Sequence, residues 1–354
     1  MNRKQVLLVS MFLLMILPLM ADGKPRNIIF LIGDGMGLAQ THAGMVKNIQ
    51  PLAIESFKHI GLVNTSSSSH FTTDSGAGGT ALASGVKTKN GMIGMDPDSV
   101  AIESIIHLAA KNRLATGIVA SCAVTHATPA SFVAHQVNRN MYEEIAADFL
   151  KVDIDVFIGG GMRHFANRTI DNRNLVNELK SKQYQVVESM QALKQVKTGK
   201  VAGLLYNEHP PAMPDRGDFL PDATDAAITL LAQSKKGFFL MVEGAQIDWA
   251  GHANDTETIA LEVIDFDKAV RVALDFAQKD GNTLVVVTAD HETGAMSLLG
   301  GDTETGVIRA AYSSTNHSGI LVPVYAYGPG AEEFMGFIDN TEFKGKFADL
   351  LKLK

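Results

Sequence analysis

Residues 282–294 read NTLVVVTADHETG, and this stretch decides the fold. From Thr283 to Thr288 it is an unbroken, β-branched apolar run with no polar alternation. That pattern belongs to a strand buried on both faces. It stops at Asp290 and His291, two side chains suited to charge and metal rather than to a core. Five other runs have the same shape: NIIFLI ahead of Gly33, TGIVAS from Thr116, DVFIGGG from Asp155, GFFLMVEG from Gly237 and VPVYAYG from Val322. Helical periodicity fills the intervals, from Val100 to Lys111, Met141 to Lys151, Asn172 to Lys182, Asp222 to Ser234 and Glu257 to Lys279. Strand and helix in alternation predict an α/β fold, with a large, mostly parallel central sheet and helices on both faces. Ligands of such sheets bind outside the carboxyl ends of the strands, which is where the polar residues gather. The stretch from about Phe165 to Tyr206 reads as a variable lobe, not a domain. Residues 207–224, NEHPPAMPDRGDFLPDAT, read as a long proline-rich surface loop. No internal repeat or low-complexity tract is present.

The chain has 354 residues, 46% of them hydrophobic, enough for a sizeable core. Residues 23–354 read as a single catalytic domain. Net charge is −7, with a pI near 5.9. Without a basic tract or aromatic–basic interleaving, nucleic-acid binding is not expected. An anionic substrate remains open, provided that the positive potential is local. The first 22 residues are read apart from the fold. Arg3 and Lys4 precede an apolar run from Val6 to Met20, then small and polar residues. That is the pattern of a secretory signal peptide cut near Ala21 to Gly23, although Leu19 is a weak match at its position. It implies an exported protein, periplasmic or secreted, with no membrane anchor after cleavage. The competing reading is an uncleaved anchor, for which the run is short. The single cysteine, Cys122, permits no intrachain disulfide. It sits in an apolar run and reads as a small buried hydrophobe; with no second cysteine, a metal role is not expected.

Five stretches carry metal-type residues at strand ends. They hold Asp34 in FLIGDGMG, Glu243, Asp248 and His252 in MVEGAQIDWAGH, Asp290 and His291 in VVTADHETG, His317 in STNHSG, and His126, Thr128 and Arg139 in CAVTHATPASFVAHQVNR. Asp248 and His252, four apart, share one face of a helical turn and can reach one ion. Adjacent Asp290 and His291 can do so only where the strand has ended and the chain bends. Taken singly, an Asp after a strand is often a helix cap and a histidine is usually an ordinary residue. His42, His59, His70, His107, His135, His164 and His209 are left to that reading. In combination, mixed Asp and His sets suit zinc, whereas Glu, Asp and a Thr hydroxyl form an all-oxygen set suited to magnesium. Two neighbouring metals can hold the attacking and leaving oxygens of an in-line displacement.

Residues 70–91, HFTTDSGAGGTALASGVKTKNG, are ambiguous alone. No Gly-Lys-Ser/Thr closes them as a P-loop, and Thr73 stands where a nucleophile elbow needs glycine. The small residues after Ser75 look like a helix start, whose N-terminus favours phosphate.

FLIGDGMG, TTDSGAGGTALASGVKTKNG, ATPASFVAHQVNR, VEGAQIDWAGH, GNTLVVVTADHETG and NHSG…VYAYGPGA, in this order from about residue 27 onward, resemble the alkaline phosphatase family. The resemblance implies that family's three-layer α/β sandwich and hydrolysis of a broad range of phosphate monoesters. It implies that Ser75 is the serine that becomes phosphorylated. Asp248, His252 and His317 match the ligands of a first zinc. Asp34, Asp290 and His291, with the Ser75 oxygen, match those of a second. Asp34 also bridges to a third, magnesium-type site with Thr128 and Glu243, and Arg139 matches the phosphate clamp. Three divalent ions, four carboxylates and one arginine leave about +3 to meet a phosphate dianion and an alkoxide. The family also suggests a homodimer.

Two positions vary within the family, with Asp and Lys in a bacterial form and His at both in animal forms. Here they are His126 and Trp249. His126 near the third site would offer a nitrogen and open that site to zinc or cobalt as well as magnesium. Trp249 cannot supply a lysine's charge to phosphate, so product binding should be weaker; it reads equally as a packing or a substrate-stacking residue. The competing functions are a related metal-dependent phosphodiesterase, which has less use for Arg139, and a non-catalytic phosphate-binding protein, which has no use for a serine among three metal sites. A sulfatase reading fails on the Gly-Ala-Gly that follows Ser75.

Overall fold

The computed structural model describes residues 23–354; the expected signal peptide lies outside the described residues. In chain order the strands are β1 (Asn27–Gly33), β2 (His59–Asn64), β3 (Ala115–Ala123), β4 (Val156–Gly160), β5 (Gln185–Val187), β6 (Val201–Tyr206), β7 (Phe238–Gly244), β8 (Thr283–Thr288), β9 (Glu292–Thr293), β10 (Met296–Asp302), β11 (Val307–Tyr312), β12 (His317–Ser318), β13 (Val322–Tyr327) and β14 (Gly336–Asp339). Ten of them form one sheet, ordered β14-β2-β13-β8-β1-β7-β3-β4-β6-β5. Only β13 runs antiparallel to its neighbours, β2 and β8; every other pairing in this sheet is parallel. β10 and β11 form a separate hairpin, and β9 and β12 a two-residue ladder.

The apolar runs sit at the centre. β1, β7 and β8 are buried along their whole length, as continuous hydrophobicity requires. Both faces of β7 are covered. Phe239 packs edge-on to Phe347 of the helix Glu342–Leu350, while its neighbour Phe238 packs on Phe276 of the helix Thr256–Asp280. Successive side chains of a strand point to opposite faces, so these helices lie on opposite sides. Leu38–Lys47 and Phe219–Leu231 join the second helix; Ser75–Ser84 and Ile105–Lys111 join the first.

All five expected helices form, with shifted ends. The first begins at Ile105, because Ser104 caps it through the His107 amide and Ala101 pairs with Met95 instead. The fourth starts at Phe219 and accommodates Pro221 in its first turn, where a missing N–H costs nothing. Residues 165–206 do not form a variable lobe: they add β5 and β6 to the sheet edge. The supposed surface loop at 207–224 also needs correction. Arg216 is 6% exposed and pairs with Glu262 and Asp265 beneath the surface.

Candidate active site

The side chains singled out by sequence converge where the parallel strands end. Asp34 follows β1, Glu243 closes β7, His126 and Thr128 follow β3, and Asp290 and His291 follow β8. The helix Ser75–Ser84 is entirely buried and starts among them. Asp74 caps it, its Oδ1 accepting from the Ala77 amide at 2.9 Å. The glycines allow close approach. A Cβ on Gly78 would stand 2.8 Å from the Asp290 carbonyl oxygen, so this helix packs directly on the Asp290 loop. Gly35, at φ +71°, lets the chain turn tightly after β1, where a Cβ would stand only 3.0 Å from Asp248 Cα.

The first cluster is Asp248, His252 and His317, whose candidate ligand atoms all lie within 4.8 Å of one another. Asp248 and His252 share a face of the helix Gln246–His252, as their spacing predicts. Asp248 Oδ1 is 3.4 Å from both His252 Nε2 and His317 Nε2, and the two nitrogens are 3.1 Å apart. The Nδ1 atoms face the carbonyls of Thr315 and Thr73, at 2.7 and 2.9 Å. Carbonyls only accept, so each Nδ1 carries a proton and both Nε2 atoms are turned inward toward Asp248. That place is filled either by a proton on each Nε2 or by one shared cation.

The second cluster is Asp34, Asp290 and His291, also within 4.8 Å. The chain has left β8 and bent, which lets the adjacent Asp290 and His291 aim at one point. His291 Nε2 lies 3.3 Å from Asp34 Oδ1, 3.4 Å from Asp290 Oδ2 and 3.2 Å from Ser75 Oγ. The His291 and His317 rings stack at 3.6 Å, joining the two clusters.

At the third position Thr128 Oγ1 donates to Asp34 Oδ2 at 3.3 Å, and Glu243 lies alongside. His126 meets Trp249 and His209 edge-on, with centroids at 5.7 and 5.8 Å. Cys122 is buried as expected, but its thiol donates to Glu243 Oε2 at 3.1 Å.

These clusters floor a cleft of about 620 Å³ lined by Asp74, Ser75, Asn90, Arg139, Trp249 and His317, among others. Arg139 reaches in from the side, its Nη1 donating to Asp74 Oδ2 at 3.0 Å. Trp249 forms a wall, packed edge-on to His209 at 4.8 Å.

Burial governs the electrostatics. Asp34, Glu243 and Asp290 are 0% exposed. Burial, reinforced by carboxylate neighbours, drives the Asp34 pKa well above its usual range, Glu243 to about 8 and Asp290 to about 6. For Asp248 burial acts the same way, yet hydrogen bonds from His252 and His317 outweigh it and hold the carboxyl well below its usual range. The Asp248 hydrogen bond raises His252 to about 9. Burial pushes His291 far down and His126 to about 3, so both are neutral, the form able to bind a cation. Asp34 Oδ1, Glu243 Oε1, Asp290 Oδ2 and His126 Nδ1 are buried without a hydrogen-bond partner. Orphaned anionic oxygens in a dry site fit bound cations.

Several supporting residues have no signature in the sequence. Asp74 both caps the helix Ser75–Ser84 and anchors Arg139. The Thr293 hydroxyl donates to Asp248 Oδ1 and lies 3.3 Å from His291 Nδ1, so it orients ligands of both clusters. Gln40 Nε2 donates to Glu292 Oε1 at 2.6 Å and to the Thr293 carbonyl at 2.7 Å, bracing the ladder that carries His317. His209, taken as ordinary, accepts from the Ala123 amide and backs Trp249.

A family model described as alkaline phosphatase matches residues 25–310. Alkaline phosphatase 4 of Bacillus subtilis is 34% identical, the match covering 92% of this chain and 89% of that protein. The structure of alkaline phosphatase from the Antarctic bacterium TAB5 superposes with a TM-score of 0.89 at 43% identity, covering 93% of this chain and 99% of that one. A histidine-to-aspartate variant of the TAB5 enzyme, with magnesium bound in its M3 site, superposes with a TM-score of 0.88 at 42% identity, covering 94% and 99%.

Proposed function

The chain belongs to the alkaline phosphatase family and is an enzyme of that family; on that premise we propose that it hydrolyses phosphate monoesters through a phosphoserine on Ser75, with two zinc ions and a third, magnesium-type ion. One observation carries this reading. Four buried carboxylates, Asp34, Glu243, Asp248 and Asp290, gather with three imidazole Nε2 atoms beside the Ser75 hydroxyl, and the nearby arginine is already paired with Asp74. Such a set is stable only with cations supplied from outside. Asp248, His252 and His317 would hold one zinc, and Asp34, Asp290 and His291 the other. Asp34, Thr128 and Glu243 would hold the third ion. The M3 magnesium of the TAB5 variant supports a third cation here too.

When bound, the ions supply Lewis acidity that lowers the Ser75 and water pKa values and stabilises the leaving alkoxide. The chain's own residues do the rest. Arg139 grips two non-bridging phosphate oxygens with its planar fork. The Asp74 side chain takes the Ala77 amide and its carbonyl the Gly78 amide, so the Ser75 and Gly76 amides remain at the helix mouth to face the phosphate. Ser75 Oγ forms the bond to phosphorus as the bond to the leaving oxygen breaks. Water then attacks phosphorus from the side opposite Ser75 Oγ. Two in-line displacements give net retention, with inorganic phosphate as product.

The roles assigned to Ser75, Arg139 and the ions all act on the phosphoryl group, which supports use of many monoesters. Export after signal cleavage, one catalytic domain over residues 23–354 and a homodimer complete the reading. Among the described residues, no helix is long and apolar enough to cross a membrane.

Hydrolysis of p-nitrophenyl phosphate tests the proposal. Ser75→Ala should lower kcat by at least about a thousand-fold, roughly 4 kcal/mol of barrier, with metal content retained. The wild-type optimum should be alkaline and should vanish on chelation. Full activity in Ser75→Ala would overturn the phosphoserine route.

A further inference from the structure

The third cluster contains a sulfur. Cys122 Sγ, His126 Nδ1 or Nε2 and a Glu243 carboxylate oxygen lie within 4.8 Å of one another. Cys122 is 0% exposed, near the end of β3, and its thiol faces the Glu243 carboxylate. The sulfur also lies 3.2 Å from the Ala123 carbonyl oxygen, so it is turned to oxygen atoms and not to the apolar side chains around it. Two further observations point to a ligand at this place. Glu243, also 0% exposed, has Oε1 without a partner, and so has the buried His126 Nδ1. On the far side of the sulfur the surroundings are apolar: Ala120 and Ala245 pack with Cys122, and Trp249 packs against this group.

We propose that Cys122 is a ligand of the third cation, and that with His126 and Glu243 it forms a sulfur–nitrogen–oxygen set that takes a zinc-class divalent ion in preference to magnesium. The proposal rests on the three-ion reading given above and changes the chemistry of one of its sites. Magnesium keeps several of its waters and needs oxygen partners for them. Asp34 and Thr128 supply oxygens on one side only; on the Cys122 side, Ala120, Ala245 and the Trp249 ring offer none. Thiolate and imidazole favour zinc and cobalt over magnesium. On binding, the metal–sulfur bond replaces the S–H bond, and the thiol proton leaves to solvent together with any proton that Glu243 holds in the metal-free chain, so charge balances. Trp249 then acts as a lid over the sulfur as well as a wall of the substrate cleft.

The full chain, stripped by a chelator and rebuilt with cobalt(II) in thiol-free buffer, tests this without reference to activity. The sequence has one cysteine, so any thiolate-to-cobalt charge-transfer band in the near ultraviolet comes from Cys122. Three cobalt ions per chain with that band are expected. Excess magnesium should not remove it, and Cys122→Ala should abolish it while the visible cobalt bands of the other sites remain. The wild-type spectrum decides alone if the variant does not fold. Three cobalt ions without the band would overturn the proposal and leave the three-ion reading standing. Fewer than three ions and no band would defeat both.

Discussion

The protein buries two clusters of acidic side chains, and they are built on opposite plans. Beneath residues 207–218, the Arg216 guanidinium pairs with Glu262 and Asp265, and Glu262 Oε1 also accepts from the Met213 amide at 2.8 Å. Here the chain supplies a counter-charge of its own, one guanidinium between two carboxylates, and the cluster is largely closed, with only Asp265 Oδ1 and Arg216 Nε left without partners. At the strand ends, Asp34, Glu243, Asp248 and Asp290 gather in the floor of a cleft that Asp248 lines, and Arg139 is engaged by Asp74. There the counter-charge is missing and the cluster is open. Buried charge by itself therefore marks no site. What marks one is buried charge that the sequence leaves unbalanced, beside a cavity of substrate size.

The sharpest way to break this contrast is to open the closed cluster. Arg216→Met strands two carboxylates and should cost about 3–5 kcal/mol. Thermal denaturation of the metal-loaded protein should show a Tm lower by on the order of 10 °C. Activity per folded molecule, assayed well below that Tm, should stay near wild type. A loss of activity without a loss of stability would mean that the two clusters are coupled and the contrast false.

A smaller effect separates the clusters by pH. In the metal-free chain the Glu243 pKa rises from 4.5 to about 8 and that of His252 from 6.5 to about 9. Both groups hold more protons folded than unfolded over this range, so their contribution to stability is present at low pH and falls as pH rises. Asp265 of the closed cluster, raised from 3.8 to about 6 by burial, has finished its change by then. Between about pH 6.5 and pH 9 the Tm of chelated protein should fall by a few degrees, while metal-loaded protein, its protons replaced by ions, should stay flat. Equal slopes for the two forms would show that the open cluster does not hold the ions.

The same contrast explains how much was legible in the sequence. The central strands were readable because burial on both faces leaves only apolar residues, and the candidate ligands stood out as polar residues that end such runs. β2, β5 and β14 were not. β2 exposes His59, Ile60 and Asn64 to varying degrees, and β5 has three residues, so neither shows continuous hydrophobicity. The closed cluster was missed as well. Arg216 sits among prolines and glycine, a surface composition, and its partners lie 46 and 49 positions away. Gln40 and Glu292 are 252 apart. Ligands announce themselves through residue type at a strand end, whereas the groups that brace them are ordinary polar residues paired across the fold. Cys122 shows the limit from the other side: its burial was evident, but not the carboxylate that its sulfur faces.

Asp74 belongs to the supporting class, and two substitutions divide its roles. Asp74→Ala removes the helix cap and the Arg139 partner together. It should cost about 1 kcal/mol of stability and raise KM for monoesters roughly ten-fold as the clamp loses its orientation. Asp74→Asn keeps a capping oxygen but not the charge that holds Arg139. Its Tm should lie near wild type while KM still rises. If KM followed stability in both variants, Asp74 would act on the helix alone, and Arg139 would need no anchor.

The finest test concerns the charge balance of the open cluster rather than its existence. Trp249 lines the cleft with no charge to offer, and its ring is engaged by His126 and His209. A lysine there would add one cation to a partly exposed rim, worth about 0.5–1 kcal/mol toward a phosphate dianion. Trp249→Lys should thus lower the inhibition constant of inorganic phosphate by a few-fold, with the gain fading at high ionic strength. Its sign matters more than its size. Tighter product binding would show that the cleft is short of positive charge beyond its ions, so that the tryptophan favours release. An unchanged constant would mean that the ions and Arg139 already satisfy the phosphate, and that Trp249 serves packing alone.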